Sequence, residues 1–240
     1  MQVIIELLIQ HTSDAHPWFQ QARRSRRSPF RDYYLWSDND DDDTPPMFPG
    51  VEESIWSWDA EAGQYYRHMF YRHEPDLNLA SPAVIKEVEN IVIFWLKLGV
   101  SGFRLDAASH LTKQAGRGEE KRGLWLLEHL RRLIERHNPQ AILIGEVDVE
   151  VAEYRDYFGD NNRLNMVLNF WLNKNFYVSL ASKNARPLID AITKTIVPPD
   201  ACCFANWLRN HDELDLEGVG RKKKQTVMDA FAPDKEMNVY

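Results

Sequence analysis

Short apolar runs alternate with longer amphipathic stretches along most of this chain, and the alternation predicts strands that are each followed by a helix. Runs of strand length occupy residues 3–9, 101–106, 141–146, 164–170 and 202–208. Between the first two, Ser81-Pro82 opens a helix with proline at its first position. Val84, Val88, Ile91, Val92, Trp95, Leu96 and Leu98 form its apolar face, and Gly99 ends it. A second helix is predicted from Glu119 to His137, with Leu124, Leu127, Leu130, Leu133 and Ile134 on one side and Asn138-Pro139 as its stop. A helical turn over 176–181 and helices over 187–196 and 221–231 follow.

Alternation at this spacing means parallel βα units. The interval from Asp106 to Glu146 is about one such unit of a barrel. The pattern therefore predicts an α/β fold of the (β/α)8 TIM-barrel type, with an open doubly wound sheet as the alternative. Residues 11–80 break the rhythm. They hold Trp, Tyr, Pro and charge clusters, including the acidic run 38–43, without sustained periodicity. A stretch this long inside a compact domain needs structure of its own. It is read as an insertion with short strands, so residues 1–10 and 81–240 form the barrel part and 11–80 the insertion.

Composition narrows the class. With 44% hydrophobic and 27% charged residues over 240 positions, the chain is globular in character. Its net charge of −7 argues against a general nucleic-acid partner. The run 3–9 contains Glu6 and is too short to cross a bilayer, and no basic segment precedes it, so neither a membrane partner nor a signal peptide is expected. Cys202 and Cys203 are adjacent and offer no disulfide framework, which suits a reducing, cytoplasmic location. The oligomeric state stays open.

Three carboxylates stand at the ends of apolar runs: Asp106 after Gly102-Phe103-Arg104-Leu105, Glu146 after Ile142-Leu143-Ile144-Gly145, and Asp212 after Leu208-Arg209-Asn210-His211. A charge where a buried strand runs out is poor core material and good material for a site at the mouth of a parallel barrel. One ionised and one protonated carboxyl are what cleavage of a glycosidic bond needs, and a third can hold substrate. Arg104 lies two residues from Asp106, on the same face of its strand, and favours the carboxylate form. Glu146 has no cation near it in sequence, so desolvation is expected to raise its pKa, as suits an acid.

Five stretches carry a family resemblance. Residues 6–14, with His11, are followed by His16-Pro17-Trp18-Phe19. Glu74-Pro75-Asp76-Leu77-Asn78, Gly102–Asp106, Gly145-Glu146-Val147 and Asn210-His211-Asp212-Glu213 come after them in order. Together they resemble the α-amylase family of glycoside hydrolases (family 13), nearest to its trehalose synthase-like members. The resemblance implies a retaining α-glucoside-active enzyme that interconverts maltose and trehalose, with an α-glucosidase or α-amylase hydrolase as the alternative and a non-catalytic remnant as the reading of another class. It implies Asp106 as nucleophile, Glu146 as general acid and then base, and Asp212 as the carboxylate that binds sugar hydroxyls. Arg104 would orient Asp106, while His11 and His211 would bind substrate. The implied partner is a small α-glucoside such as maltose or trehalose.

Two departures bear on these expectations. Glu6 and Gln10 stand where the family carries Asp and Asn, each one methylene longer. Gln10 and the stretch after Asp106 supply none of the family's calcium ligands, so no metal and no other cofactor is expected. The family barrel also has two strands before residue 3 and one after residue 208, so the chain is expected to hold about five of eight strands and to act as a fragment. Bland readings cover the rest. The acidic run and Lys222-Lys223-Lys224 read as solvated, the cysteine pair as buried, and His68 and His73 as residues of the surface or of the layer behind the substrate contacts. Trp18, Trp36, Trp56 and Trp58 read equally as packing or as sugar-subsite residues.

Overall fold

The computed structural model describes residues 1–240 except 41, 117–122, 213 and 238–240. In chain order the elements are β1 (Ile4–Leu7), α1 (Pro17–Arg24), β2 (Trp36–Ser37), β3 (Trp56–Asp59), β4 (Gln64–Arg67), α2 (Pro82–Lys97), β5 (Gly102–Leu105), α3 (Ala108–Gln114), α4 (Trp125–His137), β6 (Ile142–Gly145), α5 (Tyr154–Phe158), β7 (Met166–Leu168), α6 (Phe170–Ser182), α7 (Arg186–Lys194), β8 (Cys203–Ala205) and α8 (Arg221–Phe231). The proposed start of the second helix at Glu119, Asp41 of the acidic run and Glu213 of the last motif lie outside the described residues.

Five strands form one parallel sheet in the order β1-β5-β6-β7-β8. Each strand therefore neighbours the next one in sequence. A doubly wound sheet reverses its strand order at a switch point. No reversal occurs here, and the arrangement is the wall of a partial (β/α)8 barrel with helices outside it. The register sets one row across the sheet: Leu7, Leu105, Gly145, Val167 and Phe204 are successive partners. Whatever follows these residues leaves the sheet at the same end. Phe103, Leu105, Leu143 and Val167 on the strands and Leu126, Leu127, Leu130 and Ile134 on α4 are buried in one core.

Two of these elements show how the sequence sets its own boundaries. Helix α2 buries Val84, Ile85, Val88, Val92 and Leu96, the spacing of a single helical stripe. Gly99 follows it at φ 90°, a conformation that costs glycine little and ends the helix. In α6, the Asn169 side chain accepts a hydrogen bond from Leu172 N at 3.0 Å and caps the first turn.

The region between β1 and α2 has its own three-stranded antiparallel sheet, β2-β4-β3. It returns to the barrel by stitching its last segment beside the chain that leaves β1. Thr12 N donates to Pro75 O at 3.2 Å, and Leu77 N to Gln10 O at 2.8 Å. Trp36 packs inside this region, stacked on the buried Phe19 with ring centroids 5.6 Å apart.

Several boundaries differ from expectation. The strand proposed over 164–170 ends at Leu168, because the Asn169 cap switches the chain to helix, and the turn proposed over 176–181 is part of the thirteen-residue α6. The strand over 202–208 ends at Ala205, and Leu208 is exposed. Cys203 is exposed and Cys202 half-buried, so the pair is not a buried one. Burial removes the surface alternative for His68, which is fully buried and bonded through Nε2 to Ser57 Oγ at 2.8 Å. The helices α1, α3 and α5 are too short to have shown a sustained apolar period.

Candidate active site

Asp106 and Glu146 are the first residues beyond β5 and β6. Leu105 and Gly145 are register partners, so the two carboxylates leave the sheet side by side. Arg104 sits one step inside β5. Its Nη1 donates to Asp106 Oδ1 at 2.6 Å and its Nη2 to Glu146 Oε2 at 2.7 Å. Glu6, directly opposite Arg104 on β1, brings a third carboxylate onto Nη1. Burial opposes the charge on this guanidinium, but Glu146, Asp106 and Glu6 outweigh it and raise the pKa of Arg104.

The Glu146 side chain is only 15% exposed. Burial pushes its carboxyl up to about 7, against the pull of Arg104, and the adjacent Asp106 carboxyl adds to the rise. Two backbone groups fix its position. Ala107 N–H points to Glu146 Oε2 at 3.3 Å, and Ala108 N–H donates to the Glu146 carbonyl at 2.8 Å. The turn that aims them holds Ala107 at φ 41°, left-handed backbone that costs a residue with a Cβ about 1–2 kcal/mol. Strain of this kind is kept where the surroundings impose it. A carboxyl poised near 7 holds a proton at neutral pH and can also take one up. Asp106 stands beside it, held on the same guanidinium.

The remaining expected site residues stand apart from this cluster. Asp212 and His211 belong to the loop after β8, seven and six positions past its last residue. Asp212 accepts from Asn210 Nδ2 at 3.0 Å, its Oδ1 is 3.4 Å from His211 Nε2, and both side chains are well exposed. His11 follows β1 and pairs with Asp76 as an isolated antiparallel bridge. Its Nε2 is 3.9 Å from Glu74 Oε1, and its buried Nδ1 has no hydrogen-bond partner. It lines a cavity of about 420 Å³ with Thr12, Trp18, His73, Glu74 and Leu77. The structure thus brings Arg104, Asp106 and Glu146 together, leaves Asp212 and His211 on a neighbouring loop, and puts His11 at the junction with the insertion. Among the described residues no group of three or more His, Cys, Asp or Glu is placed to hold a metal ion.

Glu6 was not among the expected site residues. Its signal was a lone acid within an apolar strand, Ile4-Ile5-Glu6-Leu7, which called for a cation on a neighbouring strand.

Similarity to known proteins follows the same stretches. The family described as alpha amylase, catalytic domain, matches residues 1–225. A trehalose synthase of Thermus thermophilus is 39% identical, over 100% of this chain and 25% of that protein. A trehalose synthase/amylase of Mycobacterium tuberculosis is 34% identical, over 99% of this chain and 41% of that protein. In three dimensions the chain superposes on a crystal structure of an alpha-amylase from H. orenii with a TM-score of 0.73 and 30% identity, covering 95% of this chain and 46% of that one. The chain therefore spans a quarter to under a half of the length of these relatives.

Proposed function

This chain belongs to the alpha-amylase catalytic-domain family, and from that premise we propose that it supplies the reaction centre of a retaining α-glucoside-active enzyme of the trehalose synthase type. The observation that carries the reading is the Arg104 fork, which holds two neighbouring carboxyls of opposite duty. In the first step an Asp106 oxygen bonds to C1 of the sugar as the glycosidic C1–O bond breaks, and the Glu146 proton passes to the departing oxygen. In the second, the Glu146 carboxylate takes a proton from the incoming hydroxyl, which bonds to C1 and releases Asp106. Two inversions give net retention. Asp212, with His211 and His11, is assigned to the hydroxyls of the bound glucose.

The acceptor decides the product. If the released glucose turns over and attacks through its anomeric hydroxyl, maltose becomes trehalose. If water attacks, the products are two glucoses. The mycobacterial relative, a trehalose synthase/amylase by name, keeps hydrolysis in view as the second reading. On the same basis, residues 11–80 form an insertion over the end of β1, and residues 1–10 with 81–240 form the barrel part. Among the described residues no helix is long and apolar enough to cross a membrane. The adjacent free thiols suit a cytoplasmic setting.

The test is covalent trapping. A fluorinated α-glucosyl fluoride, which slows the second step, is expected to leave one glucosyl adduct on Asp106 by peptide mass mapping, and Asp106→Asn to leave none. An adduct elsewhere, or turnover of maltose that survives Asp106→Asn, would refute the assignment. Product analysis after incubation with maltose then separates trehalose from glucose as the outcome.

A further inference from the structure

The candidate acid and the candidate sugar-binding carboxylate sit on separate loops, and one buried ammonium touches both loops. Lys174 lies on α6, and its side chain is only 8% exposed. Its Nζ donates to Asp148 Oδ1 at 2.9 Å and Oδ2 at 3.1 Å. Asp148 is two residues beyond Glu146. The same Nζ is 2.5 Å from Asp215 Oδ2 and donates to the Glu217 carbonyl at 3.0 Å. Asp215 and Glu217 lie three and five residues beyond Asp212. All three hydrogens of the ammonium thus have acceptors, and the acceptors come from the two loops that carry the proposed chemistry.

Burying an ammonium is costly unless it is paired and its hydrogens are bonded. A solvated lysine on the far side of α6 would avoid that cost. Helix α6 also holds the start of the Asp212 loop without Lys174, through Asn173 Nδ2 to Trp207 O at 2.8 Å and to Leu208 O at 2.9 Å. Those bonds reach neither Asp212 nor the Glu146 loop. Nζ takes acceptors from both loops at one point, where Asp148 and Asp215 also meet each other.

We propose that Lys174 is a positioning residue: by bonding Asp148 on one side and, on the other, bonding the Glu217 carbonyl and pairing by charge with Asp215, it fixes the loop bearing Glu146 against the loop bearing Asp212. The catalytic consequence rests on the function proposed above. The coupling of the two loops does not. An error of about 1 Å in such placement can cost on the order of a hundredfold in rate.

The coupling is tested by hydrogen–deuterium exchange on the chain. Lys174→Met keeps the unbranched stem to within one atom and removes the charge, leaving two acids facing each other. Backbone amides in both 146–149 and 208–217 are expected to exchange about tenfold faster or more. Lys174→Arg keeps a cation and restores much of the protection. Lys224→Met, which removes only an exposed pair with Glu217, leaves both loops as they are. Acceleration in one loop alone, throughout α6, or in neither loop overturns the proposal. If Lys174→Met does not fold, Asp148→Asn and Asp215→Asn replace it. Each is expected to loosen its own loop and spare the other, and loosening of α6 instead overturns the proposal.

The catalytic half is read on maltose well below the unfolding temperature. Lys174→Met lowers kcat about a hundredfold with a smaller change in KM, and Lys174→Arg recovers most of it. Unchanged kcat in a variant whose loops have loosened overturns the positioning role. Wild-type protein that turns over no α-glucoside refutes the proposed function instead, while the exchange measurements still decide the coupling.

Discussion

At the scale of single residues, Glu146 concentrates the physics of the site. Its native carboxyl stands at about 7 against an ordinary 4.5, with burial as the main cause. Between those two values the native state holds a proton that the unfolded chain has lost, so stability falls as pH rises through the window. The penalty is fully present above 7 and on the order of 1–3 kcal/mol. Glu146→Gln removes it, while Arg104 keeps Asp106 and Glu6 as partners. The variant is therefore expected to be more stable than wild type at pH 8 and little changed at pH 4.5, as measured by urea unfolding. A variant less stable at pH 8 would show that the Arg104 contact outweighs the burial. On activated aryl α-glucosides, which need little protonation, Glu146→Gln keeps far more activity than on maltose, where loss of the acid costs about 10²–10⁴-fold. The alkaline limb of the maltose profile, set near 7 by the loss of this proton, is the second readout. Most of this was legible in the sequence, because an acid after an apolar run with no nearby cation is a recognisable pattern. Glu6 was not. It reads as a family Asp made one methylene longer, and its bond to Arg104 joins residues 98 positions apart. Spacing along one strand cannot show a partner on the next. Lys174 escaped notice for the same reason, since its two acids come from two other loops.

At the scale of elements, the strands and long helices were legible, with helix ends such as Pro82, His137 and 221–231, while the ends of β7 and β8 were not. The five strand centres and the start of α2 at Pro82 follow from apolar runs and a Ser-Pro signal. Strand β7 stops early because a side chain, Asn169, caps the next helix, and hydrophobicity alone carries no trace of that bond. The last site loop was likewise read as starting from a strand that reached Leu208, whereas β8 ends at Ala205 and leaves Asp212 on a longer tether. Packing between strands also explains a glycine. A Cβ on Gly102 would lie 2.4 Å from the backbone oxygen of Ile142 on β6. That atom belongs to the ladder that places Asp106 beside Glu146, and it cannot rotate aside. Gly102→Ala is expected to destabilise by about 2 kcal/mol or more through forced separation of β5 from β6. Because the two carboxylates leave the sheet from these strands, activity should fall further than stability predicts. A variant with an unchanged urea midpoint would mean that β6 shifts at little cost.

At the scale of the molecule, the fold class was legible because strand–helix alternation repeats, and the comparison with the alpha-amylase structure agrees with the sheet order. How the ends of the sheet are covered is not written in the alternation. Among the described residues β1 pairs only with β5, and β8 only with β7, so the sheet has two open edges. Near the first edge, Val3, Ile4 and Leu8 are exposed, α2 turns Ile91, Phe94 and Trp95 to solvent, and Leu98, which caps its C-terminus, is exposed as well. An edge strand with unpaired backbone groups beside exposed apolar side chains is a template for pairing with another chain. The net charge of −7 opposes close approach, but salt screens it over about 10 Å at 0.1 M, and apolar contact is not weakened in the same way. The 240-residue chain by itself is therefore expected to self-associate. Its sedimentation coefficient should rise with protein concentration, and added salt should increase association. Phe94→Lys with Leu98→Glu, which place charge on the outer face of α2 and at its C-terminal cap without touching the buried stripe, should lower it. A sedimentation profile that stays monomeric across micromolar to hundred-micromolar concentrations, in low and high salt alike, would mean that the edge at β1 and the outer face of α2 do not serve as a contact surface.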